Sequence, residues 1–349
     1  MIPLDHDHLI FGALALRPNG SGVQTYQREL IRALSRIREL PPLAAVVQED
    51  AAGELPDSVL PLAHTPSSGA RRAFQGLLPV RRAMLFHGLD VDLPIAQRCP
   101  TVSTVHDMSA FDTPWAMSRV RARGEQLLLR RSIRRADVII SVSHFTAERV
   151  KALLGRESTV TPLAPAPWAR VPSEEAVAAV REKYRLPERF VLQLGTLEPR
   201  KKPEVVNAAL EGSGIPLVLA GGRTDGPDRP AGSLGLGYVD LADIPALYRA
   251  AHVVAYASSY EGFGLPPVEA MACGAAVVAS AVGGIPEAVG KGAVVVSGLD
   301  PKVWREALMS LLEDSPARAE LRRCAAERVG WLNWQATALA TARVYRELL

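Results

Sequence analysis

Short, almost wholly apolar runs alternate with longer amphipathic stretches along most of this chain, and few folds accept that pattern. Leu43–Gln48, Thr101–Val105 and Val138–Val142 have the length and β-branched content of strands, as do Phe190–Gly195, His252–Ala257 and Ala276–Ser280. The runs in the second half are nearly all apolar, without the polar–apolar alternation of a strand with one wet face. Strands apolar on both sides belong to parallel sheets covered on both faces by helices, the product of repeated βαβ units. Further candidates are His8–Leu16, Met84–His87 and Thr159–Leu163 in the first half, and Pro216–Ala220 and Ala293–Val296 in the second. Helices are expected from Val23, where Val23, Tyr26, Leu30, Ile31 and Leu34 keep a 3.6-residue period, and over Arg119–Arg135.

The rhythm breaks once. Pro165, Pro167 and Pro172 fall within one short stretch, which prevents helix and disfavours a central strand. At 349 residues the chain exceeds one ordinary core, so the break reads as a linker. The expected architecture is α/β, with two Rossmann-like, doubly wound domains facing across a cleft. They are residues 1–165 and 166–330, followed by a C-terminal helix, 331–349, crossing back to the first domain.

Composition narrows the classes. A net charge of +3 is too small to argue for nucleic acid, and Cys99, Cys273 and Cys324 lack the spacing of a disulfide framework or a zinc site. The N-terminus lacks the pattern of a signal peptide, and no apolar run reaches the roughly 18 residues of a membrane span. The expectation is a cytoplasmic protein.

The chemistry concentrates in Ser258–Ser280. A buried strand should end near Ala257 and a helix begin at Pro266, with Gly262 and Gly264 between them. Backbone N–H groups of Gly262, Phe263, Gly264 and Leu265, joined to the positive end of the helix dipole, form a phosphate site. It lies at the carboxyl end of a strand, where open α/β sheets bind ligands. Glu261 and Glu269 bracket the loop; like charge keeps them off phosphate, but carboxylates accept well from sugar hydroxyls. Glu261 is placed for a hexose and Glu269 for a ribose, although an acid near a helix N-terminus also needs no ligand. A second cluster, Gly195-Thr196-Leu197-Glu198-Pro199-Arg200-Lys201-Lys202, follows the first strand of the second domain. Arg200 as a fork and Lys201 as a point charge suit a diphosphate.

The spacing Glu261-x7-Glu269 within EGFGLPPVEAMACG resembles the signature of the retaining glycosyltransferases of family 4, which have the GT-B fold. Gly237-Tyr-Val, Leu247-Tyr-Arg-Ala-Ala-His and Gly283-Gly-Ile-Pro-Glu287 are similar to that family as well. The resemblance implies that Glu261 contacts the donor sugar and Glu269 the ribose. Arg200 and Lys201 would neutralise the leaving nucleoside diphosphate, so that neither metal nor cofactor is needed. Ser21-Gly22, after Gly20, sits where two glycines approach the donor. His106, after the strand Thr101–Val105, matches the histidine near the reacting centre, although a lone histidine also suits a core. Asp107 would orient it or bind acceptor hydroxyls, and His87 and His144 are further acceptor-side candidates. The chain departs from the family at Thr196, where arginine is common, and at Ala275-Ala276, where proline often precedes Val-Val.

The wording around Leu194–Lys201 and Val105–Asp107 most resembles bacterial polysaccharide mannosyl- and rhamnosyltransferases. GDP-mannose is the first donor expected, with UDP- and dTDP-sugars next, and the acceptor is a hydroxyl of a glycan or lipid-linked oligosaccharide. Arg-rich stretches at 70–82 and 119–135 suggest peripheral contact with an anionic membrane at its cytoplasmic face. Two other classes share the architecture. A nucleotide-sugar 2-epimerase would need acid/base carboxylates across the cleft, and no matching motif is found. A non-catalytic nucleotide- or glycan-binding protein would have no need of all of Glu261, Glu269, Arg200, Lys201 and His106.

Overall fold

The computed structural model describes residues 7–18, 20 and 22–349. The chain divides into two compact units, Met1–Leu163 with Asn333–Leu349, and Ala164–Leu332.

Among the described residues the first unit is built on seven strands: β1 His8–Gly12, β2 Leu43–Gln48, β3 Val59–His64, β4 Ala83–Gly88, β5 Thr101–Val105, β6 Val138–Ser141 and β7 Thr159–Val160. Their order is β3-β2-β1-β4-β5-β6-β7, and every neighbouring pair is parallel. The order reverses direction between β1 and β4. Ile10, Ala44, Val46, Phe86 and Val105 from the sheet pack with Ile133 and Val150 from the covering helices Arg119–Arg135 and His144–Leu154. Burying such side chains stabilises by roughly 1.5–3 kcal/mol each, which outweighs the modest strand propensity of the alanines.

β3 was not expected from the sequence. Pro61 falls inside it and speaks against a central strand, but β3 lies at the sheet edge, where a missing N–H is tolerated. The first candidate strand is also shorter than expected, because the chain leaves the sheet after Gly12.

The second unit carries six strands among the described residues: β8 Val191–Leu194, β9 Leu217–Ala220, β10 Leu234–Gly235, β11 Val253–Tyr256, β12 Val277–Ser280 and β13 Val294–Val296. They run β10-β9-β8-β11-β12-β13, all parallel, and reverse direction between β8 and β11. β10 is a two-residue edge strand, too short for any sequence pattern to mark. Trp304 is completely buried in this core, where its indole N–H donates to Gly298 O at 3.1 Å.

The expected C-terminal helix is present, but it begins at Trp334 and not at Trp331. Ser315–Trp331 ends at Trp331, and Trp334–Leu348 starts afresh with the Asn333 side chain accepting the Ala336 N–H at 2.8 Å. The helix Trp334–Leu348 packs within the first unit. Thr337 Oγ1 donates to Pro162 O at 2.7 Å, and the Trp334 and Tyr26 rings lie 6.2 Å apart. Among the described residues no helix is long and apolar enough to cross a membrane.

Candidate active site

β8 and β11 are adjacent strands whose following connections leave in opposite directions, so their carboxyl ends open a crevice where ligands bind in sheets of this kind. The connection after β8 carries Gly195 to Lys201, and the one after β11 carries Ser258 to Gly264. These loops are tied together: Ser259 N donates to Arg200 O at 2.8 Å, and Arg200 Nη1 to Tyr260 O at 3.2 Å.

The tie places Arg200 and Lys201 on the Glu261 carboxylate. Arg200 Nη1 is 2.9 Å from Glu261 Oε1, the Lys201 ammonium contacts the same oxygen, and Ser258 Oγ donates to it at 3.0 Å. Arg200 also pairs with Glu198 through Nε at 2.9 Å. Burial by itself would raise the Glu261 carboxyl, but the Lys201 and Arg200 charges outweigh it and hold Glu261 below the usual carboxylate range. Two cations and two carboxylates, Glu261 and the more exposed Glu198, thus balance one another at this crevice, so a phosphate group would have to displace a carboxylate to gain Arg200 and Lys201.

Backbone geometry supports this placement. Gly195 has φ +142, and a Cβ on Gly221 would lie 2.6 Å from Gly195 O, so the connections after β8 and β9 approach each other through glycine. Gly283 has φ +59, and its Cβ would overlap Glu261 O. The neighbouring Gly284 N donates to that oxygen at 3.2 Å. Gly264, with φ +97, precedes the helix Leu265–Ala272, which starts one residue earlier than expected. Pro266 and Pro267 have no N–H and the Val268 N–H donates to Gly264 O at 3.4 Å, so the amides of this turn that remain for a phosphate lie among Gly262, Phe263, Gly264 and Leu265.

Thr196 is exposed on the same loop as Gly195, with its side chain next to Gly222. Phe263 and Leu265 are buried beneath the turn. Glu269 is buried on the helix Leu265–Ala272 and takes a hydrogen bond from the Ala166 N–H. Burial outweighs that bond and pushes its carboxyl up to about 8. Such an acid is neutral at pH 7 unless hydroxyl donors favour its charged form.

In the first unit, His106 follows β5, is half-buried, and its Nε2 lies 2.9 Å from Leu89 O, with the ring edge-on to Tyr26 at 4.7 Å. Asp107 Oδ1 accepts the Ser109 N–H at 2.8 Å. His144 is exposed at the start of the helix His144–Leu154. Gly22 has φ +63 and opens the helix Val23–Leu34, while a Cβ on Gly20 would meet Gln24 at 2.8 Å. Ser21 lies outside the described residues.

His87 requires a correction. It is fully buried in β4, with Nδ1 2.6 Å from Tyr345 Oη and Nε2 2.8 Å from Thr104 Oγ1. Burial, aided by the nearby His106, lowers it to about 3. A neutral imidazole with both nitrogens engaged is packing, not an acceptor contact. Its position one residue before the end of a strand looked the same in sequence.

Several residues at the site had not been assigned roles. Ser258 holds Glu261, Glu198 holds Arg200, and Gly283 admits the loop. All three lay within motifs singled out in the sequence, but nothing in the spacing said which partner each would hold. Among the described residues no group of three or more His, Cys, Asp or Glu side chains is placed to hold a metal ion.

A family model described as Glycosyltransferase Family 4 matches residues 20–165, and one described as Glycosyl transferases group 1 matches residues 178–328. The sucrose-phosphate synthase of Thermosynechococcus elongatus has the same fold, with TM-score 0.75 at 22% identity over 98% of this chain and 99% of that one. WaaG, a glycosyltransferase of lipopolysaccharide biosynthesis, superposes with TM-score 0.71 at 15% identity over 96% of this chain and 99% of that one. The two parallel-sheet units have the GT-B fold, and the family models that match them are those of glycosyltransferases. The chain belongs to the glycosyltransferases of family 4 and group 1. It is 27% identical to the O-antigen chain mannosyltransferase B of Escherichia coli, over 97% of this chain and 100% of that protein. To a D-inositol 3-phosphate glycosyltransferase of Mycobacterium tuberculosis it is 31% identical, over 74% of this chain but 57% of that protein.

Proposed function

We propose that the enzyme moves a hexose, with mannose from GDP-mannose as the first candidate, from a nucleoside-diphosphate sugar to a hydroxyl of a glycan or lipid-linked oligosaccharide, retaining the anomeric configuration. The observation that carries this reading is the meeting of Arg200, Lys201 and Glu261 at the β8–β11 crevice, beside the turn into the helix Leu265–Ala272.

In this reading the donor diphosphate takes up Arg200, Lys201 and the Gly262–Leu265 amides, and Glu261, released from the cations, accepts from the hexose hydroxyls. Ribose hydroxyls donate to Glu269 and favour its ionised form. The bond from the sugar C1 to the phosphate oxygen breaks, and the acceptor oxygen bonds to C1 on the same face. The acceptor proton passes to the departing diphosphate. Charge developing on the leaving group is stabilised by the two cations and the amides, with no metal ion. His106 and Asp107 are assigned to the acceptor side, together with His144.

Mannose as the sugar is supported by the likeness to the E. coli mannosyltransferase, and a nucleotide donor by the fold shared with Anabaena HepE, solved with UDP-glucose (TM-score 0.74, 19% identity, 98% of this chain and 100% of that one). The test is incubation with GDP-mannose, UDP-glucose and a dTDP-sugar, with and without glycan acceptors, in EDTA. Acceptor-dependent release of nucleoside diphosphate supports transfer. Interconversion of the nucleotide sugar without acceptor would mean an epimerase, and binding without turnover would mean neither.

Placement at the cytoplasmic face of a membrane belongs to the same reading. On the helix Arg119–Arg135, Val120 and Leu127 are 84% and 69% exposed, at helical spacing from the exposed Arg123, Arg130 and Arg134. Apolar side chains among arginines suit an anionic lipid surface. Co-sedimentation with anionic but not neutral vesicles, weakened in Leu127→Glu, supports this. Absence of binding to both would remove it.

A further inference from the structure

A second cationic feature lies in the second unit, on residues that the glycosyl-transfer chemistry does not use. A cavity of about 680 Å³ is lined by Arg249 and Arg322 with Val171, Met271, Ala326 and Val329. Arg249 lies on the helix Ile244–Ala250, Arg322 on Ser315–Trp331, and the buried Met271 near the C-terminal end of Leu265–Ala272.

The two arginines differ in how they are satisfied. Arg249 Nη1 donates to Gly274 O at 3.1 Å. Arg322 is half-buried, its Nε is shut off from solvent, and that atom has no hydrogen-bond partner among the described residues. Among the described residues no carboxylate pairs with either guanidinium there. Glu320 and Glu327, on the same helix as Arg322, are both taken by Arg323. Burial, with the charges of Arg249 and Arg318, pulls Arg322 down to about 10. Arg318 offers no relief, since it donates to Leu312 O and Ser315 Oγ.

Like charges brought together over an apolar wall, with a buried donor left over, oppose folding. An anion at this place would reverse the sign of that effect. Guanidinium groups favour oxyanions that accept two parallel hydrogen bonds, and phosphate is the best match. The rest of the lining is aliphatic and thioether, which suits an apolar group next to the anion.

We propose that this cavity is a binding site for a phosphate monoester with an apolar organic group, its phosphate held by Arg322 and Arg249 and its organic part lying against Val171, Met271, Ala326 and Val329. The site is separate from Arg200, Lys201 and Glu261, and the proposal does not depend on the identity of the sugar donor.

The experiment uses the full chain at constant ionic strength and follows binding of hexyl phosphate and inorganic phosphate by calorimetry, with chloride as control. The variants are Arg322→Gln, Arg322→Lys and, as a check on the diphosphate site, Lys201→Gln. Hexyl phosphate should bind at least about tenfold tighter than inorganic phosphate, since each buried methylene contributes roughly a fourfold gain. Arg322→Gln should weaken hexyl phosphate by about tenfold or more, Arg322→Lys should restore part of it, and Lys201→Gln should leave it unchanged. Without phosphate, Arg322→Gln should melt no lower than the parent, because it removes a poorly answered charge. Equal binding to the parent and Arg322→Gln overturns the proposal. So does loss of binding in Lys201→Gln, which would assign the signal to the diphosphate site, or hexyl phosphate binding no tighter than inorganic phosphate.

Discussion

Lys201 and Glu261, sixty residues apart in sequence, form an ion pair whose side chains are only 12% and 13% exposed. Arg200 reaches the same carboxylate oxygen at 2.9 Å. The cations assigned to the diphosphate and the carboxylate assigned to the sugar therefore hold one another, and a diphosphate has to compete with Glu261 for both.

That competition gives Glu261→Gln two effects of opposite sign. Binding of a nucleoside diphosphate without its sugar should hold or tighten, because a competing negative charge is gone. Turnover should fall by about a hundredfold, since the glutamine accepts more weakly from the hexose. Calorimetry with GDP and UDP, set beside steady-state rates, checks the split. A parallel loss of both would show that Glu261 serves only to position the cations.

Lys201→Ala should weaken nucleoside diphosphate binding by about tenfold to a hundredfold through loss of a charge-assisted contact. Its effect on stability should be smaller than partial burial suggests, because Arg200 and Ser258 remain on Glu261. Titration with GDP and UDP, alongside thermal melts, separates the two quantities.

Glu269 predicts a pH dependence. Its carboxyl ionises near 4.5 when unfolded and at about 8 when folded, so the folded state holds the extra proton between these values. Stability contributed by this group is then present at low pH and declines as pH rises through that interval. Glu269→Gln should remove the decline. Urea unfolding at several pH values from 5 to 9 tests it, and an unchanged slope in the variant would count against the assignment.

His87 predicts the opposite trend. Its pKa falls from 6.5 to about 3 on folding, so stability drops as pH falls below the unfolded value, where the unfolded chain takes up a proton. His87→Ala should destabilise by about 2–4 kcal/mol, while nucleotide affinity in the second unit stays the same. Tyr345→Phe should cost about 1 kcal/mol. Chemical denaturation with parallel nucleotide titration distinguishes packing from an acceptor role.

Gly283→Ala should be more damaging than its size implies. The position has φ +59, and the added methyl would overlap Glu261 O. Loss of about 2 kcal/mol or more is expected, together with loss of transfer activity, because the loop bearing Glu261 has to move. Melting temperature and turnover, measured together, decide it. Gly53→Ala, whose Cβ meets nothing within 4 Å, is the matched control.

Much of the architecture was readable along the chain because parallel, doubly covered strands leave an unmistakable record of apolar runs. The misses fell at sheet edges. Pro61 hid β3, and β10 is only two residues long, since edge strands tolerate proline and need little pairing. The start of the C-terminal helix was placed three residues early, because Trp331 and Leu332 are apolar and the Asn333 cap was the only local sign.

The sequence by itself determined the local chemistry: a glycine-bearing turn into a helix, two glutamates bracketing it, and an arginine–lysine pair after a strand. Each is a short-range pattern, governed by backbone freedom and by the orphan donors of a helix start. Tertiary structure decided which of these groups meet. Adjacency of β8 and β11 joins Lys201 to Glu261, and burial removes His87 from the acceptor candidates while leaving Glu269 neutral. It also gathers Arg249 and Arg322 on one cavity. Those outcomes depend on strand order and on exclusion of water, which act between residues far apart in the chain and leave no pattern in the residues alone.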